Sequence, residues 1–66
     1  MKIVVNGSQE EVEENINLLK LLADKELDPT KLVVEYNQQI VKEDQLEKIN
    51  LEAGDSLELL NFVGGG

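Results

Sequence analysis

Residues 1–7 read Met1-Lys2-Ile3-Val4-Val5-Asn6-Gly7 and predict the first strand and the hairpin turn after it. The β-branched run before the asparagine favours an extended strand. Asn6-Gly7 adopts positive φ angles readily, which is what a tight two-residue hairpin turn requires. A second strand is therefore expected near Gln9 to Glu14, and its glutamates indicate an exposed position at the edge of a sheet.

The only long apolar stripe at helical spacing lies in residues 18–25. The residues that form this stripe are Leu18, Leu21 and Leu22, with the stem of Lys25 one turn further on. Asn17 precedes the stripe and is typical of a helix N-cap, because its side chain accepts a bond from an unpaired amide. Leu19 lies off the stripe, where it is either partly covered or a partner contact. Asp28-Pro29 ends the region, since proline disfavours helical geometry in the preceding residue.

The middle of the chain predicts a second hairpin. Leu32–Tyr36 is nearly all apolar and is expected to be a central strand. Asn37-Gln38 provides the turn, and Gln39–Val41 is a short return strand. Residues 42–50 then predict an irregular or single-turn connection whose buried side chains are Leu46 and Ile49.

A last strand is predicted for residues 56–63, after the turn Ala53-Gly54-Asp55. Asp55 is expected to hold that turn through bonds from its side chain to the backbone. Alternation directs Leu57 and Leu59 toward the core. The opposite face of the strand then carries Glu58, Leu60 and Phe62.

The composition excludes most catalytic chemistry. The 66 residues contain no Cys, His, Arg or Trp, so thiol nucleophiles, imidazole bases and the commonest transition-metal ligands are absent. No phosphate-binding GxxxxGK[ST] motif occurs. A net charge of −8 disfavours binding to nucleic acid and favours basic protein surfaces. The acidic residues 10–14 are interpreted as a solvated face. The apolar run within residues 1–5 is too short for a signal peptide or a membrane span, so a cytoplasmic protein is expected.

The predicted order is β-β-α-β-β-β. A hairpin, a helix and three more strands describe an α+β domain with one helix packed on a mixed sheet of about five strands. The first and last strands are expected to pair in parallel at the centre. Residues 1–63 form the predicted domain, and residues 64–66 form a flexible glycine tail.

This order, in so short a chain, resembles the ubiquitin-like β-grasp fold of the ThiS-type sulfur carriers of thiamine thiazole synthesis. The most specific part of the resemblance is Gly54-Asp55 about ten residues before Gly64-Gly65-Gly66. Other residues that carry it are Met1-Lys2-Ile3, Asn6-Gly7, Leu18, Leu21-Leu22, Val34, Asn37, Ile40-Val41, Leu51 and Phe62-Val63.

The resemblance implies a carrier protein and not an enzyme. Its reactive group is implied to be the Gly66 carboxylate, which an E1-like adenylating enzyme (ThiF) activates with Mg-ATP. A persulfide from a sulfurtransferase then leads to a thiocarboxylate, whose sulfur passes to thiazole synthase (ThiG). Gly65 is implied to supply a thin, extended segment for the partner's channel, with Gly64 as a spacer. The carrier itself is expected to bind no cofactor and no metal.

Leu60 and Phe62 are the candidate docking residues beside the tail, unless a loop on the helix side covers them or they are isolated surface residues. Three other functions stay open at this point. One is the small subunit of molybdopterin synthase, which is also a β-grasp sulfur carrier. Another is a ubiquitin-like modifier that forms an isopeptide bond through Gly66, and the third is a passive interaction domain with an unreactive tail.

Overall fold

Two hairpins and a final strand form one sheet in the computed structural model, which describes residues 1–62. Strand β1 is Lys2–Val5 and β2 is Ser8–Glu11. Strand β3 is Leu32–Tyr36 and β4 is Gln39–Val41. Strand β5, Ser56–Asn61, completes the sheet.

The strand order across the sheet is β2-β1-β5-β3-β4. Strands β1 and β5 run parallel, and the other three neighbouring pairs are antiparallel. The parallel pairing of the first and last strands is therefore confirmed, as is the edge position of β2. The prediction that Leu32–Tyr36 is the central strand needs correction: β3 is an interior strand, and β5 occupies the centre.

Both hairpins turn on two consecutive residues with positive φ. Asn6 and Gly7 have φ angles of 50° and 84°, and Asn37 and Gln38 have 49° and 73°. Turns of this mirror-image type match the right-handed twist of the flanking strands. Strand β2 stops at Glu11, short of the predicted Glu14, because its partner strand starts at Lys2, which lies opposite Glu11.

Helix α1 spans Leu18–Asp24 and is capped as predicted. The backbone N–H groups of Leu19 and Lys20 donate to Asn17 Oδ1 at 3.0 and 3.4 Å. The helix is one residue shorter than predicted, because Lys25 is its C-cap and Glu26 follows with a φ of 60°. The ammonium group of Lys25 lies 2.7 Å from a carboxylate oxygen of Glu10 on β2.

The core lies between α1 and one face of the sheet, and a 3₁₀ segment, Glu43–Lys48, closes it from the side. Leu46 of this segment is buried as predicted, while Ile49 is only partly buried. A shorter 3₁₀ turn, Pro29–Lys31, leads into β3. The buried residues of the core are Ile3, Val5, Ile16, Leu18, Leu21, Leu22, Val34, Leu46, Leu51, Leu57 and Leu59.

Strand β5 ends at Asn61, and Phe62 follows it outside the strand. The N–H group of Phe62 donates to the Lys31 carbonyl at 3.0 Å. Residues 63–66 lie outside the described part of the chain. The strand ends before the predicted Val63, because β3 starts at Leu32, opposite Asn61. The predicted boundary between domain and tail stays a prediction.

Candidate functional site

Strand β5 presents different side chains to its two faces. Leu57 and Leu59 point into the core, as the alternation predicts. Leu60 and Phe62 are 56% and 49% exposed. The alternative in which a loop on the helix side covers these two residues is therefore wrong, and they are available to a partner.

The neighbouring strands extend this exposed apolar surface. Val33 on β3 lies directly opposite Leu60 in the antiparallel register. Ile40 on β4 lies opposite Glu35, so it is a diagonal neighbour of Val33 on the same face. Side chains at diagonal positions are about 7–8 Å apart, within reach of each other when they are long. We call Val33, Ile40, Leu60 and Phe62 the outer patch.

Ile40 and Val33 are the members of the outer patch that sequence reasoning missed. Ile40 has 71% of its surface exposed, more than Leu60 or Phe62. The sequence placed both residues in strands but did not assign them to a face. The turn at Asn37-Gln38 sets the register of the hairpin, so counting outward from it predicts that Ile40 lies opposite Glu35.

Two carboxylates lie beside the outer patch. Glu35 and Glu58 face each other directly across β3 and β5. Like charges in opposite register positions destabilise a sheet. None of the ion pairs among residues 1–62 involves either glutamate. The patch is therefore apolar with an acidic margin, which complements an apolar surface flanked by lysine or arginine.

Asp55 fixes the start of β5 as the sequence predicts. Its Oδ2 accepts a bond from the Glu52 backbone N–H at 2.8 Å, which closes the turn before the strand. The Tyr36 hydroxyl donates to the same oxygen at 2.9 Å, and Asn37 Nδ2 donates to Oδ1 at 3.1 Å. Burial, together with the bond to Asp55, raises the pKa of Tyr36 above its ordinary value. These groups hold the start of β5 in place.

Three further observations concern the described residues. Within residues 1–62, no three acidic side chains come together as metal ligands. Leu19 is half-buried against the core, which confirms the reading of a partly covered side chain. It lies beside an acidic depression lined by Glu43, Asp44 and Glu47. No helix in this part of the chain is long and apolar enough to cross a membrane.

The predicted reactive residues Gly64, Gly65 and Gly66 lie outside the described residues, so their roles stay predictions. The described structure contributes the strand that leads toward them and the exposed apolar surface beside that strand. Leu60 and Phe62 belong to this surface, and their partner-binding role also stays a prediction.

Comparison with known families identifies the chain. The sequence model of the ThiS family matches residues 2–66, which is nearly the whole chain and includes the three terminal glycines. The chain belongs to the ThiS family. The predicted β-grasp fold and the predicted family are thereby confirmed.

Solved structures of the ThiS family have the same fold. The crystal structure of the thiamine biosynthesis protein ThiS from Geobacter metallireducens superposes with a TM-score of 0.86 at 29% identity, with both chains fully covered. A solution structure of a thiamine biosynthesis protein from the same organism gives a TM-score of 0.80 over 88% of its chain.

Among curated proteins, this ThiS-family chain is similar to part of a longer enzyme. It is 33% identical over 66 residues to a thiazole synthase from Paramagnetospirillum magneticum, and 33% identical to another from Magnetococcus marinus. The chain spans only 20% of the length of each of these relatives. An uncharacterized protein, ycf40, from Trieres chinensis is 36% identical over 94% of this chain and 85% of its own length.

Proposed function

We propose that this chain is a sulfur carrier whose Gly66 carboxylate is adenylated, converted to a thiocarboxylate and used as the sulfur donor for the thiazole ring of thiamine. The observation that carries the proposal is the ThiS family match, which extends through the glycines to Gly66. The similarity to a solved ThiS over the full length of both chains supports the same role.

The similarity to thiazole synthases supports thiazole as the destination of the sulfur. In two relatives of that name, one fifth of the protein is a stretch similar to this chain. A carrier and its acceptor enzyme joined in one protein meet at high effective concentration. We propose that the separate chain meets a thiazole synthase (ThiG) by docking instead.

The chemistry begins with activation, because a carboxylate is a poor electrophile. In the proposed reaction, the Gly66 carboxylate attacks the α-phosphorus of Mg-ATP, which forms an acyl-adenylate and releases pyrophosphate. The chain has no phosphate-binding GxxxxGK[ST] motif. The family resemblance implies that a separate E1-like adenylating enzyme (ThiF) holds the nucleotide.

Sulfur enters in two further steps. The terminal sulfur of a persulfide on a sulfurtransferase attacks the acyl carbon and displaces AMP, which leaves an acyl disulfide. A thiol then attacks that disulfide at the donor's sulfur, so the thiol and the donor form a new disulfide and Gly66 leaves as a thiocarboxylate. The chain has no cysteine, so both thiol reactants belong to partners.

The free energy gained when the folded domain docks must offset the entropy lost when the tail is fixed in the partner. Fixing the backbone of each tail residue costs about 1–2 kcal/mol. The outer patch lies next to the end of β5 and is the exposed apolar surface best placed to supply this free energy. The acidic margin at Glu35 and Glu58 favours a partner surface that is apolar at its centre and basic at its rim.

Intact-protein mass spectrometry tests the proposal. The chain is incubated with Mg-ATP, an E1-like adenylating enzyme and a persulfide donor. The expected result is an ATP-dependent mass shift equal to the replacement of one oxygen by sulfur, absent from a variant that lacks Gly65 and Gly66. A reaction mixture without the sulfur donor serves as the second control.

Other outcomes would redirect the proposal. An acyl-adenylate that an added amine traps, with no sulfur uptake, would favour a ubiquitin-like modifier. Sulfur uptake followed by transfer only to the large subunit of molybdopterin synthase would favour the related pterin pathway. A chain that no adenylating enzyme modifies, with or without its glycines, would contradict the carrier role.

A further inference from the structure

The amide side chain of Asn6 binds the central strand near its end. Asn6 Oδ1 accepts a bond from the Leu59 backbone N–H at 2.7 Å, and Asn6 Nδ2 donates to the Leu59 carbonyl at 3.3 Å. The two residues are 53 positions apart in sequence. One side chain therefore occupies both main-chain groups of a single residue of β5.

These two hydrogen bonds take the place of backbone pairing that β1 does not offer to β5 beyond Asn6. The backbone of β1 pairs with β5 only as far as the bond from the Asn6 N–H to the Leu57 carbonyl, at 2.8 Å. At Asn6 the chain takes a positive φ and turns away into β2. The side-chain amide, which has one donor group and one acceptor, then serves Leu59 as the next residue of a strand would.

The end of β5 is also paired on its other edge, which faces β3. Leu60 lies opposite Val33 in β3, and the Phe62 N–H donates to the Lys31 carbonyl at 3.0 Å. The stretch from Leu59 to Phe62 is thus bound on one side by Asn6 and on the other by the strand β3 and the residue before it. These four residues contain two members of the outer patch and lead directly to residue 63.

We propose that Asn6 is a positioning residue for sulfur loading, which it serves by fixing the direction in which β5 delivers the glycine tail relative to the outer patch. This inference rests on the proposed function, because it assigns Asn6 to the adenylation of Gly66. Asn6 acts through Leu59 and does not itself touch the reacting atoms. Without this hold, the end of β5 samples more directions, so fewer docked complexes bring the Gly66 carboxylate into the reacting position, and kcat falls.

Asn37 provides a matched control within the same molecule. It also begins a two-residue turn with a φ near 50°, and its Oδ1 accepts a bond from the Ser56 N–H at 2.9 Å. The two asparagines thus bind the same strand in a similar way. Asn37 binds its first residue, while Asn6 binds a residue near the tail.

Replacement by glycine isolates the side chain, because glycine accepts the positive φ of both turns. For Asn6→Gly, we expect kcat for adenylation to fall about tenfold, with KM within about twofold because the variant removes no side chain of the outer patch. For Asn37→Gly, we expect both parameters to stay within about twofold. Asn6→Asp keeps an acceptor for the Leu59 N–H but loses the donor to the Leu59 carbonyl, so we expect it to recover only part of the lost rate.

Two kinetic results would overturn the inference. Equal losses of kcat in Asn6→Gly and Asn37→Gly would show a general effect of weakening β5. An unchanged kcat in Asn6→Gly, with reduced stability, would show that Asn6 only supports the fold.

NMR on the free chain tests the positioning separately from the proposed function. In Asn6→Gly we expect the Leu59 amide to exchange at least about tenfold faster, and the order parameters of residues 60–62 to fall, whereas Asn37→Gly leaves both unchanged. Order parameters that match the wild type would overturn the inference. If the wild-type chain is never adenylated, the proposed function fails, and this NMR comparison alone decides whether Asn6 fixes the strand.

Discussion

The two faces of strand β5 carry similar side chains but differ sharply in burial. Leu57 and Leu59 on the inner face are almost completely buried, while Leu60, the next residue along, is more than half exposed. Their chemistry is the same, since all three are leucines. Only the alternation of the strand separates them.

The buried face of β5 contributes to folding, and the exposed face is the one we propose for recognition. The inner leucines contact α1 and the rest of the core, and burial of each contributes about 1.5–3 kcal/mol to folding. The outer patch contributes little of this kind, because solvent still reaches most of it. A single exposed apolar residue needs no explanation, but three exposed neighbours around the partly buried Val33 are the basis on which we propose a binding surface here.

The largest expected effect is on the inner face. Leu57→Ala removes a fully buried side chain and leaves a cavity, so we expect the free energy of unfolding to fall by about 2–5 kcal/mol. Leu60→Ala, the matched change on the outer face, should cost less than about 0.5 kcal/mol. Urea unfolding followed by circular dichroism measures both. Equal losses would contradict the division between the faces.

For activity, we expect the larger effect from a change on the outer face. Phe62→Asp should leave the free energy of unfolding nearly unchanged and lower kcat/KM for adenylation about tenfold, which corresponds to about 1.4 kcal/mol of lost docking energy. Asn61→Asp adds the same charge one residue earlier and serves as the control. Unchanged kinetics with Phe62→Asp would refute the assignment of Phe62 to docking.

Local patterns predicted the elements of this fold well, and long-range contacts account for what they missed. The turn residues Asn6-Gly7 and Asn37-Gln38 and the alternation in β5 lie within a few residues of what they determine. The bond between Asn6 and Leu59 joins distant parts of the chain, so no local pattern contains it. The early end of β2 likewise depends on where β1 starts.

The candidate site was predicted only in part, because some of its residues come together through long-range strand pairing. Leu60 and Phe62 were found because they alternate with core leucines in one strand. Val33 and Ile40 join them only through the register of three strands, which the sequence specifies through turn geometry. The tail residues came from family resemblance, and that assignment still depends on the chemistry proposed for Gly66.

A smaller effect is expected where β5 begins, away from both faces. Tyr36→Phe removes the hydroxyl that donates to Asp55 at 2.9 Å, so we expect a loss of about 1 kcal/mol in stability. Adenylation of the folded protein should be unchanged, because the outer patch and the tail are untouched. Thermal unfolding and adenylation rates measured on one preparation check this. A large fall in kcat would implicate Tyr36 in function.

The Tyr36→Phe variant also tests how the stability of the protein depends on pH. The folded protein raises the pKa of Tyr36, first through burial and then through the bond to Asp55. The stability that this provides is complete below the ordinary tyrosine pKa of about 10 and is lost as the pH rises through the higher folded value. The stability difference between wild type and Tyr36→Phe should therefore shrink above about pH 10. A difference that grows with pH would contradict the direction of the shift.

The smallest expected effect lies in the second turn. Gln38 has a φ of 73°, a conformation that costs a side-chain-bearing residue about 1–2 kcal/mol. Gln38→Gly relieves this cost at some entropic expense, so we expect a net gain of about 0.5 kcal/mol. Chemical unfolding measures the gain, and the adenylation rate should not change. A faster adenylation rate would show that stability, and not the outer patch, limits activity.

The most direct test of the account follows the sulfur itself. The chain is loaded with a heavy sulfur isotope at Gly66, purified and given to a thiazole synthase with the remaining substrates. We expect the isotope to appear in the thiazole ring and the chain to return to its carboxylate mass. Retention of the label on the chain, with thiazole formed from unlabelled sulfur, would contradict it.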